Sequence, residues 1–272
     1  MPLIRAAPEE RKDAAGVGEF TFAKPAWVDE AGSTNDDLKR LLAGAAPPEP
    51  GFVLAARRQT RGRGRLGNSW QTIPNRDLAF SFYWAGEISP GKAGSLPMAC
   101  ALGIGDFLAA PGLEITTHCR WPNDVMTERG KIGGILTESR SAGSGIRLVV
   151  GIGLNAGSRA GRGEEAGTAA SIADFAGSVP GQEDLLAGLL PFLAARIAAW
   201  NRGGFAAIRA DLEARLWDPG TPVRVRSSAG ILAGRIAGLG EEGELLLATR
   251  AGTISAASSS ALDWGVAGQD DD

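Results

Sequence analysis

The stretch FVLAARRQTRGRGRLGNSWQTIPNRDLAFSFYWA (52–85) places two apolar segments on either side of a loop rich in arginine and glycine. FVLAARR (52–58) and DLAFSFYWA (77–85) have the apolar and aromatic content typical of β-strands. The loop RGRGRLGNSW (61–70) carries three arginines and three glycines within seven positions. Glycine loses more backbone entropy on ordering than any other residue, so this loop is not expected to form a regular element by itself. The stretch therefore predicts two strands of one sheet that are joined by a cationic loop.

The positive charge of this loop indicates an anionic ligand. Ordering roughly ten such residues costs on the order of 10 kcal/mol of backbone entropy, so we expect the loop to be mobile until a ligand binds. Nucleic acid, a nucleotide or other phosphate ligand, and solvent alone are the three alternatives. The whole chain of 272 residues has a net charge of −3, whereas nucleic-acid binding favours a broad basic face. A local cluster on an acidic protein suits a small anionic ligand better.

Cysteine and histidine usage excludes several kinds of site. The chain has two cysteines, Cys100 and Cys119, and one histidine, His118. This is too few for a structural zinc site of cysteines and histidines, and no Ser-His-Asp triad is indicated. We expect two buried free thiols, which fit a reducing, cytoplasmic compartment. No apolar run is long enough to span a membrane, and the N-terminal residues lack an apolar signal core.

The remaining chain predicts an α+β fold with a mixed or antiparallel central sheet and helices packed on it. The 44% hydrophobic content is enough for the core of one large domain. Residues 26–46 read as a strand, a turn and a helix that Ser33 or Thr34 can cap. Further strands are expected at 114–121, 131–139 and 145–155, and further helices at 91–110, 181–203 and 204–217.

The character of the sequence changes near residue 219. Residues 221–265 contain short alternating segments broken by glycine-rich turns, with no helical run, which is typical of a small β-barrel. The predicted organisation is a flexible tail at 1–20, a large domain at 21–218 that would carry any catalytic site, the barrel at 219–265 and an acidic tail at 266–272.

A second candidate segment is RWPNDVMTERGKIGGIL (120–136). Lysine is scarce in this chain, and Lys131 directly precedes I-G-G-I-L, where glycines allow a ligand to approach the backbone. The alternative interpretation is an ordinary hairpin with a basic residue near its turn. Two further segments, GSTND (32–36) and GIGLN (151–155), are by themselves better explained as a helix cap and a strand end.

Taken in order, these four segments resemble the biotin–protein ligase family. The resemblance rests on S-T-N before a helix, Q-T-x-G-R-G-R-x-G-x-x-W, W-P-N-D-V followed by K-x-G-G-I-L, and G-I-G-x-N. It extends from about Trp27 to Asn155, with ten positions between Trp121 and Lys131 as in the family. It implies a sheet of the class II synthetase and biotin-ligase type and an SH3-like C-terminal barrel. Asn68 and Arg120 depart from the family pattern, in which arginine and lysine are usual at these positions.

The resemblance also assigns roles to individual residues. It gives Lys131, Arg65 and Arg63 a catalytic role, in which they meet carboxylate and phosphate charge. Those it assigns to biotin are Ser33, Thr34, Asn35, Gln59, Gly62, Arg63, Trp70, Lys131, Gly133 and Gly134. Those it assigns to ATP or the adenylate are Arg65, Gly67, Trp70, Asn123, Asp124 and Asn155, with Asp124 near a Mg²⁺ ion.

The implied activity is ATP-dependent formation of biotinyl-5′-AMP and transfer of biotin to a lysine of a biotin carboxyl carrier protein. A lipoate–protein ligase is the alternative enzyme, and a catalytically silent biotin- or RNA-binding module is the alternative of another class. Too few residues precede Trp27 for a helix-turn-helix, so DNA binding is not expected. A homodimer in which the strand at 145–155 pairs with its copy is suggested by analogy.

Overall fold

The computed structural model describes residues 19–142, 145–158, 169–217, 220–227, 230–257 and 261–264. The predicted acidic tail and nearly all of the predicted N-terminal tail lie outside these residues. Phe20, which the sequence assigned to the tail, packs against the ring of Phe82 at a centroid distance of 6.1 Å. The predicted boundary at 218/219 also lies outside the described residues and stays a prediction.

A seven-stranded mixed sheet forms the larger part of the fold, as predicted. Its spatial order is β1-β2-β3-β7-β6-β5-β4, with β1 and β2 parallel and every other pair antiparallel. The strands are β1 Ala26–Ala31, β2 Val53–Gln59, β3 Leu78–Gly86, β4 His118–Arg120, β5 Asp124–Thr127, β6 Gly130–Ala142 and β7 Gly145–Leu154. Because β2 and β3 pair directly, the cationic loop joins two neighbouring strands, as expected.

Helices cover this sheet. They are α1 Thr34–Leu42, α2 Pro90–Ala93, α3 Leu96–Ala109, α4 Gln182–Gly203 and α5 Arg209–Glu213. The structure places α3 within the helix predicted at 91–110, and nearly every residue of α3 is buried, since its side chains are mostly small and apolar. The expected long helix at 204–217 is wrong in part. Gly204 has φ +63, a left-handed conformation that ends α4, and a 3₁₀ turn and the short α5 follow.

Two other details differ from the expectation. Residues 114–121 contain only the short β4, and Glu114 adopts φ +54 after α3. The strand β5 inside W-P-N-D-V-M-T was not predicted, since its four residues carry too short a pattern. The pairing of β7 with its copy is also wrong: β3 and β6 occupy both of its edges along residues 146–154. An internal strand has no free backbone groups to offer a second chain.

A five-stranded antiparallel sheet follows, in the order β11-β10-β9-β8-β12, as expected for a small SH3-like domain. Its strands are β8 Pro222–Ser227, β9 Gly230–Leu239, β10 Leu245–Thr249, β11 Gly252–Ala256 and β12 Ala261–Trp264. One cluster of buried apolar residues continues from the large sheet into this one and includes Phe205, Val223 and Leu245.

Both cysteines are buried and free, as predicted, and burial raises the pKa of the Cys119 thiol to about 12. The His118 ring packs edge-on against the Trp217 ring, with 5.4 Å between the two ring centroids. Across the described part of the chain, no helix has both the length and the apolar character that crossing a membrane requires.

Trp121 connects the two sheets. Its side chain is buried, and its indole Nε1 donates a hydrogen bond of 2.8 Å to the carbonyl oxygen of Gly243. Gly243 has φ +90 in the turn before β10, and the space beside its Cα is filled by Phe205 and Met98. A glycine is therefore required at the point where the small sheet meets the segment W-P-N-D.

We expect Trp121→Phe to destabilise the protein by about 1–3 kcal/mol, because the buried Gly243 carbonyl loses its partner. Hydrogen exchange should become faster across residues 222–249. Trp84→Phe is the control, since the Trp84 indole donates a hydrogen bond to Asn201 within the larger part of the fold. Equal exchange rates at 222–249 in the two variants would contradict this role for Trp121.

Candidate active site

The four sequence segments surround one pocket with an internal volume of about 270 Å³. It lies between the large sheet and the cationic loop. The residues that line it are Ser33, Thr34, Asn35, Gln59, Arg63, Gly64, Arg65, Leu66, Asn68, Ser69, Trp70, Phe80 and Lys131, with residues 120–124, 134–136 and 151–153. Most of the predicted site residues therefore meet at one place in the fold.

The start of α1 forms a polar, uncharged end of the pocket. Ser33 occupies the N-cap position but its side chain makes no capping hydrogen bond, so the expected capping role is wrong. Instead, Oε1 of Gln59 accepts hydrogen bonds from the Thr34 backbone N–H at 2.9 Å and from its hydroxyl at 3.2 Å. Ser81 Oγ lies 2.7 Å from the Thr34 hydroxyl and 2.6 Å from Oδ1 of Asn35. These buried groups are held in fixed orientations by one another.

Ser81 was missed in the sequence. The only signal was a polar residue within the apolar strand L-A-F-S-F-Y-W. Its role depends on the packing of α1 against β3, which brings together residues 46 and 47 positions apart.

The loop 61–70 folds back on itself over the pocket. The Trp70 N–H donates to the Gly62 carbonyl at 2.9 Å, and the Gly64 N–H donates to the Asn68 carbonyl at 2.7 Å. A Cβ at Gly62 would overlap the Trp70 carbonyl, which explains the glycine there. At the tip, Leu66 and Gly67 adopt φ +57 and +82. The loop thus has a compact folded form, and its expected mobility without ligand stays a prediction.

Trp70 forms one wall of the pocket and lies on two glycines of the sheet. A Cβ at Gly153 would overlap the indole, and a Cβ at Gly134 would come within 3.1 Å of it. The indole Nε1 is buried and has no hydrogen-bond partner among the described residues. Lys131 Nζ lies 5.4 Å from the ring centroid, within the range of a cation–π contact.

Three cations gather around a single carboxylate at the other end of the pocket. Asp124 Oδ1 lies 2.7 Å from Lys131 Nζ, and Asp124 Oδ2 lies 2.7 Å from an Arg120 guanidinium nitrogen. Arg65 donates to Oδ1 of Asn123 at 3.0 Å. Burial lowers the pKa of Arg65, although the nearby Asp124 opposes that shift. One carboxylate among three cations leaves this end positively charged, so it favours an anionic ligand.

The protein itself offers little to hold a metal ion. Within the described ranges, no three Asp, Glu, His or Cys side chains come together as a metal site. Asp124, the predicted ligand, already pairs with two cations. A Mg²⁺ ion here would therefore need to be held mainly by phosphate oxygens, as is common for nucleotide-bound Mg²⁺.

Comparison with known proteins agrees with this arrangement. The model of the Biotin/lipoate A/B protein ligase family matches residues 32–155. A biotin--[acetyl-CoA-carboxylase] ligase of Mycobacterium tuberculosis is 34% identical over 209 residues, covering 75% of this chain and 74% of that protein. One of Paracoccus denitrificans is 33% identical over 225 residues, covering 81% of this chain and 92% of that protein. The chain belongs to the biotin/lipoate A/B protein ligase family.

The same family appears among solved structures. A biotin protein ligase from Aquifex aeolicus, in complex with biotin and ATP, superposes with a TM-score of 0.76 at 27% sequence identity. The match covers 89% of this chain and 100% of that chain. The shared fold therefore extends over most of this chain.

Four residues that the family resemblance assigned to ligands are not among those that line the pocket: Gly62, Gly67, Gly133 and Asn155. Gly62 and Gly133 permit close backbone approach, and Gly67 permits a left-handed turn. Asn155 is buried, and its Nδ2 donates to the carbonyls of Lys131 and Ala170 at 3.2 and 3.0 Å. Their direct ligand roles stay predictions, whereas their structural roles are visible here.

Arg63 lines the pocket but is held by acidic side chains. One of its guanidinium nitrogens lies 2.6 Å from Glu138 Oε2 and 2.8 Å from Asp36 Oδ1. Neither Asp36 nor Glu138 was among the predicted site residues. The signal that was available is the polar T-E-S following I-G-G-I-L in β6.

We expect Gly153→Ala to displace the Trp70 indole, because the added methyl group overlaps the ring. The Trp70 Nε1–H resonance, assigned with a Trp70→Phe variant, should shift in a ¹⁵N correlation spectrum. Gly177→Ala is the control, since a Cβ there meets nothing within 4 Å. If the Trp70 resonance stayed in place in Gly153→Ala, the indole would not lie on this strand.

Proposed function

We propose that the chain is an ATP-dependent biotin–protein ligase that forms biotinyl-5′-AMP and transfers biotin to a lysine of a carrier domain. The observation that carries the proposal is the pairing, in one pocket, of a polar uncharged end at Thr34 and Gln59 with a cationic end at Lys131 and Arg65. The matching relatives are named biotin ligases, and the Aquifex protein was solved with biotin and ATP.

The polar end suits a ring that carries both hydrogen-bond donors and acceptors. Ser33, Thr34 and Gln59 present hydroxyl and amide groups that can both donate and accept. The Trp70 wall supplies an apolar surface between the two ends. A biotin molecule would therefore place its ureido ring near α1 and its carboxylate near Lys131.

The cationic end addresses the main obstacle to adenylate formation. The biotin carboxylate must attack the α-phosphate of ATP, displacing pyrophosphate, so two anions must approach one another. Lys131 and Arg65 lower this repulsion, and the effect is larger in a pocket that excludes water. Bound Mg²⁺ would neutralise further phosphate charge, and Asp124 is the carboxylate available to contact it.

Transfer needs no protein nucleophile. The neutral amine of the carrier lysine attacks the carbonyl carbon of the mixed anhydride, the C–O bond to the phosphate breaks, AMP leaves, and the proton lost from nitrogen passes to solvent. Both carboxylate oxygens of Asp124 already contact cations, so this side chain is not free to accept the amine proton. Positioning of the amine and exclusion of water by the loop therefore supply the catalysis of this step.

Further details belong to the same proposal. The partner would be the biotin carrier domain of a carboxylase, and the location cytoplasmic, in keeping with two buried free thiols. Lipoate ligation remains the alternative within the family, and the biotin ligase names of the relatives favour biotin. A homodimer would need a surface other than the edges of β7.

We expect Lys131→Ala to reduce biotin-dependent ATP–pyrophosphate exchange by about a thousandfold, since a preorganised charge in such a site contributes 10²–10³ or more. The melting temperature should change little, because Asp124 keeps its pairing with Arg120. The exposed Lys24→Ala is the control. Exchange near the wild-type rate in Lys131→Ala would remove this lysine from the chemistry.

Arg65→Gly tests the cationic loop. We expect free biotinyl-5′-AMP to accumulate in solution, because the loop loses the charge that faces the adenylate. Chromatographic quantification of the released adenylate measures this, with Arg58→Gly on the exposed side of β2 as the control. Retention as strong as in the wild type would mean that Arg65 does not hold the intermediate.

A further inference from the structure

Glu138 lies at the centre of a charged cluster beside the pocket. Its carboxylate accepts hydrogen bonds from Arg63 at 2.6 and 2.8 Å, from Lys39 Nζ at 2.8 Å and from Asn35 Nδ2 at 2.9 Å. Asp36 completes the cluster, at 2.9 Å from Lys39 and 2.8 Å from Arg63. We call these five residues the Glu138 cluster.

The Glu138 cluster joins three parts of the fold that surround the pocket. Arg63 belongs to the loop 61–70, Asn35 and Lys39 to α1, and Glu138 to β6. Asn35 and Arg63 line the pocket, but Glu138, Asp36 and Lys39 do not. Any effect of Glu138 on a ligand must therefore pass through its neighbours.

The carboxylate is needed in its charged form. Burial alone would raise the pKa of Glu138, but the hydrogen bonds from Lys39, Asn35 and Arg63 outweigh it and lower the pKa below its usual value. Neutralising Glu138 would leave the cations of Arg63 and Lys39 near each other with only Asp36 between them. Their repulsion would push Arg63, and the loop with it, away from α1.

Two of the three loop arginines, Arg63 and Arg65, therefore have different partners. Arg65 turns toward Asn123 and the charge around Asp124, while Arg63 turns toward Glu138. The 3₁₀ turn of the loop begins at Arg65, two residues after Arg63. Arg63 is thus already neutralised by protein groups, and Arg65 is the loop arginine placed toward the cationic end of the pocket.

We propose that Glu138 is a positioning residue that fastens the loop 61–70 to α1 through Arg63 and so keeps the adenylate in the pocket. The inference rests on the proposed function, and it assigns Arg63 to holding the loop rather than to direct charge stabilisation. It also gives Glu138 a second effect, since its hydrogen bond orients the Asn35 amide at the polar end.

Glu138→Gln is the test, because the amide oxygen can still accept from Asn35 while the negative charge is lost. Hydrogen bonds to charged groups contribute enough to change an equilibrium by about tenfold or more. We therefore expect about tenfold faster release of biotinyl-5′-AMP and a higher KM for biotin. We also expect faster hydrogen exchange at 61–70 in the ligand-free protein. Glu213→Gln, which removes an exposed ion pair to Arg209, is the matched control.

A double-mutant cycle separates the proposed contact from general destabilisation. If Glu138 acts through Arg63, then Arg63→Gln combined with Glu138→Gln should release adenylate no faster than the more impaired single variant. If the two substitutions instead increased the rate of adenylate release independently, so that their fold-changes multiplied, the inference would be overturned. Lys39→Gln should change the rate of biotinyl-5′-AMP release by less than threefold, since it leaves the contact between Glu138 and Arg63 intact.

The two proposals fail in different ways. If the wild-type protein forms no biotinyl-5′-AMP, the proposed function is wrong. Hydrogen exchange at residues 61–70 would still test whether Glu138 fastens the loop. If the wild type forms the adenylate while Glu138→Gln folds, retains it as tightly and shows unchanged exchange at 61–70, the role of Glu138 is wrong.

Discussion

The carboxylate of Asp124 allows several cations to share one small pocket. Lys131 and Arg120 each lie 2.7 Å from one of its oxygens, so two like charges are held near a common counter-ion. A bulge between Val125 and Met126 shifts the register of β5 against β6 and sets how Lys131 lies relative to Asp124. The single negative charge neutralises the cations only in part. They are therefore held in place and still carry a net positive charge that attracts an anionic ligand.

The glycines of β6 and β7 are the second constraint. The faces of a strand are normally covered by side chains. Gly134 and Gly153 have none, so the Trp70 ring can contact the backbone of the sheet. Trp70 is therefore a residue of the loop whose indole packs on the sheet. This places the apolar wall between the two polar ends, and it ties the conformation of residues 61–70 to the floor of the pocket.

The loop is short, and two of its three arginines, Arg63 and Arg65, point to different ends of the site. In an extended chain, Arg63 and Arg65 would project from the same side, because they are two residues apart. In the folded loop they diverge, so that one meets Glu138 and the other meets Asn123. One cationic segment can therefore both close over the pocket and present charge to what lies inside it.

The sequence alone determined most of the larger elements and many of the residues that meet in the pocket. Local apolar patterns predicted β2, β3, the buried helix α3 and the short strands after residue 220. The order of four motifs identified Lys131, Trp70 and the start of α1 as site components. These features depend on neighbouring residues along the chain, which the sequence displays directly.

Only the tertiary structure decided how these residues are paired. Arg63 and Glu138 are 75 positions apart, and Asn35 and Glu138 are 103 apart, so no local pattern indicates that they touch. The same holds for Asn155, whose amide is satisfied by the carbonyls of Lys131 and Ala170, and for β7, whose edges are filled by β3 and β6. The partner of a polar group is set by which strands and helices pack together, and that choice depends on the whole core.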